Sequence, residues 1–135
     1  MTDLPCTKVV MVVDDDLALR EALVDVLDDF GYHTIEAGNG QDALRQLRDG
    51  TDVPCLILLD MMMPVMDGEA FRHEQQNDPD LMTIPVVVIS AHANARATAR
   101  KLAVSGFLSK PIDLDALVAT VDRHCPPPSS GTQAS

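Results

Sequence analysis

The order of hydrophobic and polar positions divides the chain into short apolar runs separated by longer amphipathic segments. The runs KVVMVV, CLILL and PVVVIS are apolar along their whole length, which is typical of strands buried on both faces of a sheet. The run YHTIEA is partly polar, which indicates a strand nearer the edge of the sheet. The predicted strands are 8–13, 32–37, 55–59, 85–90 and 107–110.

The segments between and after these strands have apolar residues at helical spacing. In the first of them Leu19, Leu23 and Leu27 share one helix face, and Gly31 ends the pattern. Asp113 precedes the last segment, where it is a suitable N-cap. The predicted helices are 17–30, 40–50, 68–77, 94–103 and 113–125. Strands that alternate with helices predict an α/β protein, a doubly wound five-stranded parallel sheet with helices on both faces.

Polar side chains that could bind a ligand or react follow several of these strands. The first strand is followed by the run Asp14–Asp16, the third by Asp60, the fourth ends in Ser90 and the fifth ends in Lys110. Parallel strands all present their carboxyl ends at one edge of the sheet, where ligands of such folds bind. The sequence therefore predicts a cleft that holds several carboxylates, a hydroxyl and an ammonium group.

Carboxylates crowded into one cleft repel one another unless a cation joins them. Mg²⁺ prefers oxygen ligands and binds through one or two carboxylates together with a phosphate. An aspartate can also act as a nucleophile and form an aspartyl-phosphate, while an ammonium group neutralises charge on the phosphoryl oxygens. Lys110 supplies the ammonium group in this interpretation, and the Ser90 hydroxyl is a hydrogen-bond donor to a further phosphoryl oxygen.

Four motifs connect these positions to a known family. They are VVDDD (12–16), LLDMMMPVMDG (58–68), VVVISAH (86–92) and GFLSKPID (106–113). In their order and separation they resemble the receiver domain of bacterial two-component response regulators, of the kind that occurs as a single-domain chemotaxis regulator. The resemblance implies a flavodoxin-like fold with strand order 2-1-3-4-5. It predicts a receiver domain over 7–124 and a disordered Pro/Ser-rich tail over 125–135.

The resemblance also implies roles for the acidic residues. Asp60 corresponds to the phosphoacceptor, which becomes a 4-aspartylphosphate. Asp14 and Asp15 correspond to the acidic pair that binds Mg²⁺, with Mn²⁺ as an alternative, and Asp60 and the backbone carbonyl of Met62 correspond to the further metal ligands. The phosphoryl donor implied is a sensor histidine kinase or a histidine phosphotransfer protein, and the output is contact with a protein partner that the sequence does not identify.

The remaining implied roles concern the phosphoryl group and the switch. Lys110 corresponds to the lysine that pairs with the phosphoryl group, and the Lys110–Pro111 bond corresponds to a cis peptide. Ser90 and Phe107 correspond to the switch hydroxyl and the switch aromatic. Two positions flank the path of an attacking water, Met62 and His92, and our hypothesis is that they tune the lifetime of the phosphorylated state.

The chain departs from the family pattern in one region. Ser90 and Lys110 are 20 positions apart, about two residues or half a helical turn shorter than the resemblance leads us to expect. Ala103 stands where the family usually has glycine. We expect the phosphorylation chemistry to be retained and the output face around the fourth helix to be altered.

The net charge and the composition exclude some classes of binding partner. The 135 residues carry a net charge of −11, which argues against direct binding to DNA or to an anionic membrane. No apolar run approaches the ~18 residues of a membrane span, and the N-terminus lacks the features of a signal peptide. These observations predict a cytoplasmic protein. The resemblance implies that it catalyses its own phosphorylation and slow dephosphorylation but converts no external metabolite.

The three cysteines are Cys6, Cys55 and Cys125. Their number is odd and their spacing matches no metal or redox motif. We therefore expect free thiols in a reducing compartment.

Two other functions share parts of this pattern. A haloacid-dehalogenase-type phosphatase also uses Mg²⁺ and an aspartate nucleophile, and its DxD signature is matched superficially by Asp14 and Asp16, but Leu17 stands where that family has Thr or Val. A flavodoxin-like FMN binder needs a phosphate-binding loop after the first strand and aromatic residues to stack the flavin, whereas aromatics are only 3% of this chain.

Overall fold

The computed structural model describes residues 8–50, 53–91 and 95–125. Strands and helices alternate through the whole of this part, as the apolar pattern predicts. The strands are β1 (Val9–Val13), β2 (His33–Ala37), β3 (Leu56–Asp60), β4 (Val86–Ser90) and β5 (Gly106–Ser109). The helices are α1 (Leu17–Asp29), α2 (Gly40–Asp49), α3 (Gly68–Gln76), α4 (Ala95–Lys101) and α5 (Leu114–His124).

The five strands form one parallel sheet with the order β2-β1-β3-β4-β5. The strand order and the partly polar edge strand β2 are confirmed. β1, β3 and β4 are buried along their full length, because helices cover both faces of the sheet. This double burial explains why these strands are apolar without alternation.

Alternate strand residues point to opposite sides of the sheet and pack in two separate clusters. Val10 and Leu58 belong to the cluster covered by α1 and α5. Met11 and Ile57 belong to the cluster covered by α2 and α3. A third, smaller cluster holds α4 against Met61 and Val88 through Ala99 and Leu102. The predicted doubly wound α/β architecture is therefore confirmed.

The predicted helix ends agree with the structure to within one or two residues at most termini. Asp113 caps α5 by accepting a hydrogen bond from the Ala116 N–H, as predicted. Gly31 follows α1 and has a φ of 87°, which glycine adopts at low cost. Within the described residues, none of the helices combines the length and the apolar character that crossing a membrane would need.

Helix α4 ends two residues earlier than its predicted end at 103. Ala103 has a φ of 57°, and its N–H donates to the Arg100 carbonyl while the Val104 N–H donates to the Ala99 carbonyl. This pair of hydrogen bonds is the Schellman arrangement, in which a left-handed residue ends the helix. Ala103 thus occupies a position that favours glycine, in agreement with the family pattern, which usually has glycine there.

The expectation of free thiols is wrong for two of the three cysteines. Cys55, just before β3, and Cys125, the C-cap of α5, form a disulfide with their Cα atoms 5.6 Å apart. The two residues are 70 positions apart in sequence, so their proximity follows only from the packing of α5 beside the start of β3. Cys125 is buried and is part of the folded unit, whereas the predicted tail began at this residue. Cys6 and positions 126–135 lie outside the described residues.

Candidate functional site

Three strands bring charged groups together at the carboxyl edge of the sheet. Asp14 directly follows β1, Asp60 is the last residue of β3, and Lys110 directly follows β5. The Lys110 Nζ lies 3.2 Å from Asp14 Oδ2 and 3.5 Å from Asp60 Oδ1. The predicted convergence of these groups is therefore present, with one ammonium group between two carboxylates.

Both carboxylates are removed from water. Asp14 is 1% exposed and Asp60 is 4% exposed, although aspartates are rarely buried to this degree unless they are paired. The Asp14 Oδ1 accepts a hydrogen bond from the Asp16 N–H at 2.9 Å. The Asp14 Oδ2 is buried, and among the described groups its charged contact is the ion pair with Lys110 at 3.2 Å.

The electrostatics of the site follow from this crowding. Burial, together with the neighbouring charge of Asp14, raises the pKa of the Asp60 carboxyl above its usual value of 3.8, although Lys110 and the Met62 N–H pull it down. Burial alone would lower the pKa of Lys110, but the two carboxylates outweigh that effect and raise it. At neutral pH the site therefore has an excess of negative charge that a cation would relieve.

The acidic residues present fit a divalent cation. Asp14, Asp15 and Asp60 each offer a carboxylate oxygen, and these three atoms lie within 4.8 Å of one another. The Asp14 Oδ2 is a buried acceptor whose charged neighbour is the Lys110 ammonium group, and a cation would satisfy it further. Oxygen ligands of this kind suit Mg²⁺ or Mn²⁺. Asp16 has a different task, because its side chain caps α1 by accepting from the Leu19 N–H.

The loop after β3 is held close to Asp60 by glycine. A Cβ atom on Gly68 would lie 2.7 Å from the backbone oxygen of Asp60 and 2.9 Å from the Cα of Met61, so only glycine allows this approach. The side chain of Met62 is exposed, and its backbone N–H hydrogen-bonds to the Asp60 carboxylate. The role of Gly68 in the site was not predicted, although the motif DG at the start of a helix is visible in the sequence.

Arg20 is a second contributor that sequence reasoning left without a role. Its Nη1 donates to the backbone oxygen of Asp14 at 2.7 Å, and its Nε pairs with Glu36 at 3.0 Å. Arg20 therefore fixes the backbone at the point where β1 delivers Asp14 into the cleft. Its position near the start of α1, one turn after the acidic run, is the only sequence signal for this contact.

Ser90 and Phe107 lie on the two strands that border Lys110. Ser90 is buried at the end of β4, and its carbonyl accepts a hydrogen bond from the Lys110 N–H at 3.0 Å. Phe107 is half-buried on β5 against the cluster of Ala99 and Leu102. The Lys110–Pro111 peptide bond is cis, as the resemblance implied. His92, the other residue of the lifetime hypothesis, lies outside the described residues.

A family model described as the response regulator receiver domain matches residues 10–122. Among curated proteins, the chain is 31% identical to a probable transcriptional regulator ycf27 of Pyropia yezoensis over 120 residues, which is 85% of this chain and 47% of that protein. The chain spans about half the length of the ycf27 regulators that it matches, between 47% and 54%.

Solved structures agree with the family match. The signal receiver domain of a histidine kinase from Syntrophus aciditrophicus is 31% identical, with a TM-score of 0.77 over 94% of this chain and 93% of that one. The chemotaxis protein CheY4 of Vibrio cholerae is 24% identical, with a TM-score of 0.78 over 87% of this chain and 98% of that one. The second likeness supports the fold.

Proposed function

Because the chain belongs to the response regulator receiver domain family of two-component signalling, we propose that Asp60 is the residue that accepts its phosphoryl group. The observation that carries the proposal is the buried Asp60 carboxylate, which has an ammonium group 3.5 Å away and two further carboxylates within metal-sharing distance. A nucleophilic oxygen, a positive charge and a cation site are the three parts that phosphoryl transfer to a carboxylate needs.

In the proposed transfer an Asp60 carboxylate oxygen attacks phosphorus and the phosphorus–nitrogen bond of a donor phosphohistidine breaks. The other ring nitrogen of that histidine already carries a proton, so the histidine leaves as neutral imidazole. Lys110 neutralises charge on one phosphoryl oxygen from its position between the two carboxylates, and the Ser90 hydroxyl donates to another. Asp14, Asp15, Asp60 and the Met62 carbonyl would hold Mg²⁺, which when bound would supply positive charge to the phosphoryl oxygens.

The proposed protein signals rather than converting a metabolite. A sensor histidine kinase or a histidine phosphotransfer protein donates the phosphoryl group, and an unidentified protein partner responds. The phosphorylated state shifts the population between two conformers through Ser90 and Phe107. Slow hydrolysis, tuned by Met62 and His92, ends the signal. The net charge of −11 supports partners other than DNA, and the proposed location is the cytoplasm.

The test is phosphorylation by acetyl phosphate, followed by intact mass with and without Mg²⁺. We expect a metal-dependent gain of one phosphoryl group that Asp60→Asn abolishes and Asp15→Asn strongly slows. Asp16→Asn is the matched control, because it makes the same chemical change in the same acidic run and asparagine retains the cap of α1. It should be labelled at the wild-type rate.

Two outcomes would contradict the proposal. One is labelling of Asp60→Asn to the wild-type extent, since the phosphoryl group would then reside elsewhere. The other is labelling that is indifferent to Mg²⁺ and equally slowed by Asp16→Asn and Asp15→Asn, since the acidic cluster would then act only through general charge. Peptide mapping after borohydride reduction of the acyl phosphate identifies the modified aspartate in either case.

A further inference from the structure

A buried arginine connects α3 to the end of α4. Arg72 is 8% exposed, and in the described part of the chain no carboxylate forms an ion pair with it. Arginine is rarely buried without a charged partner, and the neighbouring buried positions of α3 include Phe71. Leucine or methionine would fill the same space without the cost of removing a charge from water.

The guanidinium instead binds the carboxyl end of α4. Its Nε donates to the Leu102 carbonyl at 3.0 Å and its Nη2 to the Ala103 carbonyl at 2.9 Å. Carbonyls at this end of a helix lack partners within the helix and carry partial negative charge. The planar fork of arginine reaches two of them at once, which the single ammonium of lysine does not do.

A second buried polar residue completes the connection. The Arg72 Nη1 donates to the Gln75 Oε1 at 2.8 Å, and the Gln75 Nε2 donates to the Leu81 and Ile84 carbonyls. Gln75 is fully buried. The network therefore joins α3, the segment that leads into β4, and the end of α4 through hydrogen bonds that are buried, apart from the partly buried one to Ala103.

Helix α4 needs such an anchor because little else holds it. It has seven residues, too few for a helix to be stable alone. Among residues 96–103 only Ala99 and Leu102 are buried. The helix lies in the chain between Ser90 and Phe107, the two residues to which the switch is assigned above, and the segment around it is shorter than the family pattern.

We propose that Arg72 is a positioning residue of the switch: it fixes the carboxyl end of α4 to α3, so that phosphorylation moves α4 by rotation about that fixed end. The anchoring itself stands on the contacts of Arg72 alone, and the rotation rests on the proposed function of Asp60. Motion is then concentrated near the amino end of α4, the end that follows Ser90, while Leu102 and Ala103 keep their positions.

The first measurement is amide hydrogen exchange of residues 102–105 without any phosphoryl group. Arg72→Met keeps an apolar side chain of similar length and removes the donors, and we expect exchange there to become at least about tenfold faster because charge-assisted hydrogen bonds hold that turn. Arg72→Lys should give an intermediate rate. Arg100→Met is the matched control, since it removes an exposed charge from α4 itself and should leave the exchange within twofold of wild type.

The second measurement follows the switch with beryllofluoride, a phosphoryl mimic, and Mg²⁺. The chain has three phenylalanines, so fluorophenylalanine labelling gives three ¹⁹F resonances, and Phe107→Leu identifies the switch signal. In the wild type we expect the mimic to shift this resonance while exchange of residues 102–105 stays within twofold. In Arg72→Met the resonance should be broadened or averaged between the two positions, which a loss of global stability alone would not cause.

Three results would overturn the proposal. Exchange of residues 102–105 in Arg72→Met within twofold of wild type would remove the anchor. Equal increases in exchange for Arg100→Met and Arg72→Met would show that the loss of a positive charge, and not the loss of the anchoring hydrogen bonds, causes the faster exchange. Exchange that rises tenfold in the wild type with beryllofluoride would show that the carboxyl end itself moves. A wild-type Phe107 resonance that ignores the mimic would instead refute the function of Asp60, and the exchange of Arg72→Met without the mimic would still decide the anchor.

Discussion

Reduction of the Cys55–Cys125 disulfide should lower the stability of the domain without unfolding it. The bond closes a loop of 70 residues between the start of β3 and the end of α5. In the chain-entropy description, a loop of that length stabilises the folded state by about 4 kcal/mol at room temperature. An unfolding entropy of about 2 cal/mol/K per residue converts this into a decrease in Tm of roughly 15 °C for a chain of this size.

Hydrogen bonds at both cysteines can hold β3 and α5 in their native positions after reduction. The Cys55 sulfur lies 3.2 Å from the Val9 carbonyl, which a thiol would use as a hydrogen-bond acceptor. The Tyr32 hydroxyl lies 2.6 Å from Asp122 Oδ1 and 3.0 Å from the Cys125 carbonyl, so α5 stays attached to the sheet when the covalent bond is broken. The expected loss is therefore that of loop closure, and the fold should survive.

The assay is urea unfolding at fixed temperature with and without dithiothreitol, in Cys6→Ser protein so that no third thiol exchanges with the pair. Before reduction, the denatured wild type should react with one equivalent of maleimide, and after reduction with three, since the chain has three cysteines. Reduction and the Cys55→Ser/Cys125→Ser double variant should lower stability by similar amounts. A change below about 1 kcal/mol, or three reactive thiols before reduction, would refute the reasoning, because the entropic effect of a long loop is larger than that.

Two further predictions concern the site and the end of α4. The pKa of Asp60 is raised above 3.8, so the stability that its protonated form contributes is complete below pH 3.8 and is lost as the pH rises through the raised pKa. In chemical denaturation with EDTA, the wild type should therefore lose stability toward neutral pH, and Asp60→Asn should not. Parallel curves of stability against pH for the two proteins would contradict this sign. Ala103→Gly should raise the free energy of unfolding by about 0.5–1 kcal/mol. The left-handed conformation of Ala103, with a φ of 57°, costs alanine more free energy than glycine costs through its greater loss of backbone entropy on folding. Equal or lower stability of the variant in thermal unfolding would show that Ala103 is not strained.

The core of the site was predictable because parallel strands impose it. Once residues 8–13, 55–59 and 107–110 are identified as strands of one parallel sheet, Asp14, Asp60 and Lys110 must meet at its carboxyl edge, whatever the loops do. Each assignment depended only on short apolar runs and the polar residues that end them. The resemblance then assigned Asp14 and Asp15 to a metal site, and the structure places one carboxylate oxygen of each within 4.8 Å of one from Asp60.

The features that sequence reasoning missed depend on contacts between distant segments. Arg72 appears in the sequence as an ordinary charge on a polar helix, and only the approach of the α4 end shows that it is buried. The same holds for Cys55 and Cys125, whose spacing has no recognisable period. Helix α4 was predicted too long because Ala103 carries no glycine signal, although it adopts the conformation of one.

The disulfide and the acidic cleft around Asp60 lie at opposite ends of β3. Cys55 precedes the strand and Asp60 ends it, and at about 3.3 Å per residue the disulfide is roughly 16 Å from Asp60, the proposed phosphoacceptor. Effects of substitutions separated by more than about 10 Å are usually additive unless a shared element connects them. The changes in stability caused by reduction and by substitution of Asp60 should therefore add, and a clear departure from additivity would identify α5, which runs from the Lys110 end of the sheet to Cys125, as the element that couples them.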